Sequence, residues 1–163
     1  MGSCKVGRGS RSEMTPMDTM SKFRRSRLMG RIRTFGTVPE LAVRSGLHRA
    51  GLRFTLRRSD LPGRPDVVLP ARSSVVFVHG CFWHGHRGCR RAVTPKTNTR
   101  FWIDKISTNR SRDRRVATRL RGLGWRVFVV WECRISAASM ASLVRSLKSI
   151  PRTSRRASNG PHG

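Results

Sequence analysis

Acidic side chains are scarce in this 163-residue chain: 8 Asp and Glu stand against 35 Lys and Arg, a formal net charge of +27. An imbalance of that size bears little on fold and much on partners. Phosphate polymers are the natural partner, because each phosphate neutralised by a basic side chain releases a counterion. An acidic membrane surface is the main competing reading, and a merely solvated basic surface the plainest one. No apolar run approaches the roughly 18 residues that a spanning helix needs, and the N-terminus lacks the apolar core of a signal peptide. A soluble, cytoplasmic protein with no membrane partner is therefore expected. Cysteines are few as well. In a reducing compartment Cys81, Cys89 and Cys133 are expected to be metal ligands or buried thiols rather than disulfides, whereas Cys4, in the polar leader, is not expected to be a ligand.

What is present suffices for a core. The chain is 37% hydrophobic, and its length fits one compact domain with short tails. Residues 1–17 lack periodicity and read as a flexible leader, and residues 151–163 as a flexible tail. The stretch 18–38 reads as a basic helix or arm, with Phe23, Leu28, Met29 and Ile32 set among arginines. So thin an apolar face suits a DNA groove better than a core. Glu40 to Ala50 has helical spacing, and Gly51 ends it. Leu52–Leu56 reads as a strand, as do Val67–Leu69, Val75–Val78 and Trp125–Trp131, the last with buried tryptophans. Helices are expected over 101–121 and 137–148. The order predicts an α/β or α+β sheet with helices against it.

Four constellations carry chemistry. Asp66 follows Pro65 at the mouth of a strand, where one carboxylate, a backbone carbonyl such as that of Val78, and waters can hold Mg²⁺; a turn aspartate paired with Arg64 is the alternative. His79, His84 and His86 are three of the five histidines within eight positions, and an imidazole can take a proton from water at neutral pH. Cys81, His86, Cys89 and Cys133 offer the sulfur and nitrogen donors of a structural zinc site. Their spacing matches no familiar finger, which leaves buried thiols as the other reading. Phe82, Trp83 and Trp102 can stack on bases or wedge between them. Core packing is the alternative, although adjacent Phe82 and Trp83 should point to opposite sides.

Together these residues resemble the very short patch repair (Vsr) endonucleases. The likeness runs from about Asp18 to Ser149. It is carried by Leu61-Pro-Gly-Arg-Pro-Asp66, Val78-His-Gly-Cys-Phe-Trp-His84, Phe101-Trp-Ile-Asp-Lys-Ile106 with Asn109, and Gly124-Trp-Arg-Val-Phe-Val-Val-Trp-Glu-Cys133. The resemblance implies a Vsr-like domain over 18–150 with a restriction-endonuclease-like fold, a mixed sheet flanked by helices. It also implies Mg²⁺-dependent nicking of one strand, 5′ to the thymine of a T·G mismatch left by deamination of 5-methylcytosine. Asp66 would then be the metal ligand and His84 the general base, with His79 and Glu40 assisting. Phe77 and His79 stand where restriction-type nucleases usually carry an acidic residue and a lysine. Phe82, Trp83 and Trp102 would intercalate from the major groove side, and Met29 from the minor groove side. One departure is visible: Arg87 and Gly88 separate His86 from Cys89, where the family pattern usually has a single residue.

The expected partner is double-stranded DNA with a T·G mismatch, met by a monomer, with other mismatch-repair proteins as further partners. Two other classes satisfy part of the pattern. A nicking or restriction-type nuclease of the same fold could have another specificity. A non-catalytic, zinc-stabilised nucleic-acid-binding protein accounts for the charge and the cysteines, but gives no reason to place Asp66 beside His84.

Overall fold

The computed structural model describes residues 35–56 and 58–153. The chain divides into two units, Met1–Ile32 and Arg33–Gly163, and every described residue belongs to the second. The basic stretch up to residue 34, with Met29, therefore lies outside the described residues, as does the chain beyond Thr153.

Helix α1, Val38–Arg49, begins with proline in its first turn after the extended Thr37, a position where the missing N–H costs nothing. The Glu40 carboxylate closes that turn by accepting from the Gly36 amide at 3.0 Å and the Thr37 hydroxyl at 2.9 Å. Strand β1, Val67–Leu69, runs antiparallel to β2, Ser74–His79. A 3-10 turn at Pro70–Arg72, ended by the left-handed Ser73, joins them. Helix α2, Thr99–Gly122, then carries the chain back to β3, Arg126–Trp131, which pairs parallel with β2 from Ser74↔Arg126 to His79↔Trp131. Helix α3, Ala137–Lys148, starts from a capping box between Ser136 and Ser139.

The three-stranded sheet, ordered β1-β2-β3, is mixed, with helices on both faces. Alternation along the strands sorts the side chains. Val67, Leu69 and Val76 join Val43 and Leu47 of α1 and Leu147 of α3, with Val78, Phe128 and Val130 packed around them. Val68 and Val75 face the other way, toward Leu120 of α2, with Phe77 and Val127 beside them. Both faces of β2 are thus covered, which explains its unbroken apolar run. His79 belongs by the same alternation to the α2 face.

Two expectations change. The strand expected over 52–56 reduces to an isolated bridge, in which Thr55 exchanges both backbone hydrogen bonds with Val68, at 2.8 and 2.9 Å. With β1 only three residues long, a single residue turns its amide and carbonyl to that edge. The 126–131 strand is half-buried rather than buried: it is the outer strand, Val129 is 45% exposed, and both Trp125 and Trp131 are only partly covered. Among the described residues no helix is long and apolar enough to cross a membrane.

Candidate active site

The turn Leu61–Pro65 delivers Asp66 to the sheet. It presses against α2 so closely that a Cβ on Gly63, whose φ is +73°, would sit 2.4 Å from Val116 Cγ1. Only glycine fits there. Asp66 Oδ2 then accepts the amide of Val78 at 2.7 Å, tying the carboxylate across to β2. Burial first, and then the nearby Glu40 carboxylate, raise the Asp66 pKa to about 6 against the pull of that amide. No ion pair joins it to Arg64. A half-desolvated carboxyl of this kind gains by accepting a cation.

His84 lies beyond the end of β2, in a turn closed by its own amide on Gly80 O at 3.2 Å. Its ring stacks on that of His79, with centroids 3.9 Å apart and planes 10° apart. Its Nδ1 is 2.5 Å from Oδ2 of Asp113 on α2. A carboxylate can only accept, so Nδ1 carries a proton, and in the neutral ring Nε2 is left with its lone pair. His79 is buried, and burial, with the neighbouring His84, lowers its pKa to about 4, so it stays neutral. His79, His84 and Asp113 offer donor atoms within 4.8 Å of one another. In-plane lone pairs of two parallel rings do not converge on one ion, however, and the trio orients the His84 ring rather than forming a chelate.

Asp113 was not singled out from the sequence. Flanked by Arg112 and Arg114, it reads as a surface charge pair, and an Arg112 contact at 3.6 Å does exist. The one available signal was the scarcity of acidic residues. Glu40, Asp66, Val78, His79, His84 and Asp113 all line one cleft of about 980 Å³, whose walls also carry Arg64, Arg110, Arg112, Arg114 and Arg121. Glu40 is already engaged there: Arg44 Nη2 binds it at 2.7 Å, and both are buried.

Next to the cleft, Cys81, His86, Cys89 and Cys133 bring their ligand atoms within 4.8 Å of one another. His86 Nδ1 is 3.4 Å from Cys81 Sγ and 3.2 Å from Cys133 Sγ. Ligands about 2.0–2.3 Å from a tetrahedral ion stand about 3.3–3.8 Å apart, so these donors fit one. Between His86 and Cys89 the loop turns at Gly88, with φ +70° and open space around it. Burial pushes the Cys81 thiol up to about 12; a soft cation would hold it as thiolate.

Phe82 and Trp83 do not part to opposite sides. They lie in a turn, not a strand. Their rings meet edge-on at 5.1 Å, and both contact Trp102, at 5.2 and 6.1 Å. Trp102 is 7% exposed at the centre of this cluster, and Phe101, 58% exposed, adds a fourth ring at 5.1 Å. Asn109 Nδ2 donates to Trp83 O at 2.9 Å, fixing the turn to α2.

Residues 17–91 match the family model described as DNA mismatch endonuclease Vsr. The chain is 54% identical to the type II nicking enzyme V.XorIIP of Xanthomonas oryzae pv. oryzae over 119 residues, 73% of this chain and 87% of that protein. It is 46% identical to the DNA mismatch endonuclease Vsr of Escherichia coli (strain K12), over 72% of this chain and 75% of that one. Against the type II nicking enzyme V.NmeAIP of Neisseria meningitidis it is 41% identical, over 83% and 98%. A basic cleft holding a desolvated carboxyl and an oriented imidazole, in a chain this similar to such nucleases, has one reading: the protein is a nuclease and belongs to the Vsr family of DNA mismatch endonucleases.

Proposed function

We propose that this protein nicks one strand of duplex DNA on the 5′ side of the thymine in a T·G mismatch, with Mg²⁺, on a restriction-endonuclease-like fold, and so opens very short patch repair. The observation that carries the chemistry is the His84–Asp113 contact at 2.5 Å in the cleft that also holds Asp66. The Asp66 carboxylate and the Val78 carbonyl would hold Mg²⁺, which when bound supplies Lewis acidity at the scissile phosphate. His84 Nε2 takes a proton from the attacking water, while Asp113 holds the ring in the tautomer that can do so. His79, kept neutral by burial, backs the His84 ring without adding a competing charge. Arg64, Arg110 and Arg114 face the phosphate backbone. Glu40 holds Arg44 and the start of α1 beside Asp66. A single cut needs a single site, so one chain per mismatch suffices; the nicking relatives favour one-strand cleavage.

Phe82, Trp83 and Trp102 supply the wedge from the major groove side, and Met29 the contact from the minor groove side. In the free protein Trp102 is covered by its neighbours, so the outer rings meet the bases first. Zn²⁺ in the Cys81, His86, Cys89 and Cys133 set would fix the loop that presents this wedge.

Nicking on T·G and matched duplexes, with Mg²⁺ or with EDTA, tests the reading. Cutting confined to the mismatched strand and abolished by EDTA is the expected result. Equal cutting of both duplexes would make the protein a nickase of other specificity, and binding without cutting would make it a non-catalytic DNA-binding protein.

A further inference from the structure

One side chain joins the cysteine–histidine cluster to the histidine pair, and the chemistry above does not use it. Trp131 ends β3, in register with His79 at the end of β2. Its indole lies flat against His86, with centroids 4.2 Å apart and planes at 5°, and meets His79 edge-on at 5.3 Å and 79°. His79 in turn stacks on His84 at 3.9 Å. Four rings thus form a column from the cluster to the imidazole that Asp113 holds. Among the described residues the His79 ring makes no side-chain hydrogen bond, so the rings around it set its orientation.

We propose that Trp131 is a positioning residue for the nicking reaction: braced on His86, it seats His79 and through it His84. The proposal rests on His84 being the base. Each ring contact is modest, yet a base displaced by about 1 Å loses on the order of 100-fold in rate. Removing the indole should therefore act on turnover rather than on DNA binding, because the effect travels through His84.

The test uses the full chain with Trp131→Leu and Trp131→Phe. For Trp131→Leu the expected result is a kcat reduced by about tenfold, with KM for the T·G duplex within about twofold of the parent. Phenylalanine keeps a ring in the column and should restore kcat to within about threefold. Proton NMR supplies a second readout: the His84 Cε1–H resonance should move in Trp131→Leu and return toward its parent position in Trp131→Phe. Trp131→Leu with kcat within twofold of the parent would overturn the proposal, as would equal rate losses in both variants with the His84 resonance unmoved. If thermal unfolding shows that the leucine variant does not fold, Trp131→Met is read in the same way. His84→Ala, run in parallel, separates the two levels: its full activity would sink the base assignment itself, whereas its inactivity beside a fully active Trp131→Leu would sink only the coupling.

Discussion

As the proposed Mg²⁺ ligand, Asp66 meets two demands that conflict in the metal-free protein. Its folded pKa of about 6 lies above the unfolded value of about 3.9, so ionisation opposes folding. The sign follows: below about pH 4 the group is protonated in both states and costs nothing. Between about 4 and 6 the unfolded chain gives up its proton first, and stability falls. Above 6 the full penalty stands, on the order of 2–3 kcal/mol. In metal-free protein Asp66→Asn should raise the melting temperature at pH 7–8 and leave it unchanged near pH 4. The same variant should lose nicking while binding DNA within a few-fold, measured by gel shift in EDTA; full activity would remove Asp66 from metal binding. Asp113 holds a tautomer of His84. Asparagine can present its NH₂ to Nδ1 and force the proton onto Nε2, where it blocks the proposed base. Asp113→Asn should lower kcat by about 10²–10⁴ with melting nearly unchanged, read in single-turnover nicking.

At the scale of elements, the site depends on a turn, a helix and a strand end meeting. Gly63 leaves no room for a Cβ between the Asp66 turn and α2: the added atom would lie 2.4 Å from Val116 Cγ1, and φ is +73°. Gly63→Ala should destabilise by about 1–3 kcal/mol in urea unfolding, and Val116→Ala in the same chain should recover part of it, because Val116 is what the new methyl strikes. No recovery would place the cost in backbone strain alone. The aromatic turn makes a separate test. Trp83→Ala should cost discrimination between T·G and matched duplexes roughly 1–3 kcal/mol while sparing non-specific affinity; equal losses on both would mark Trp83 as packing.

Over the whole molecule, charge sets how tightly DNA is held. With a net +27, binding should weaken steeply with salt, log K falling by about 0.9 per phosphate contacted. Arg114 and Arg121 line the cleft wall. Replacing both with glutamine should reduce the slope by about 2 and weaken matched and mismatched duplexes alike. Metal analysis of purified protein should find about one zinc per chain, and chelation should lower the melting temperature by loosening the 81–89 loop.

Much of this was legible in the residues themselves. Apolar periodicity placed α2, α3 and all three strands nearly to the residue, because strands covered on both faces and amphipathic helices write their burial into their spacing. Charge pointed to a polymer partner, and the clustered histidines and cysteines pointed to the candidate site. Spacing along the chain determined which chemistry was available; only the packing of α2 against the sheet and the pairing of β2 with β3 decided which groups meet. Asp113 reaches His84 across 29 positions, and Trp131 reaches His79 across a parallel pairing. Such contacts leave no local period, since each depends on two elements whose relative placement is set by the core between them.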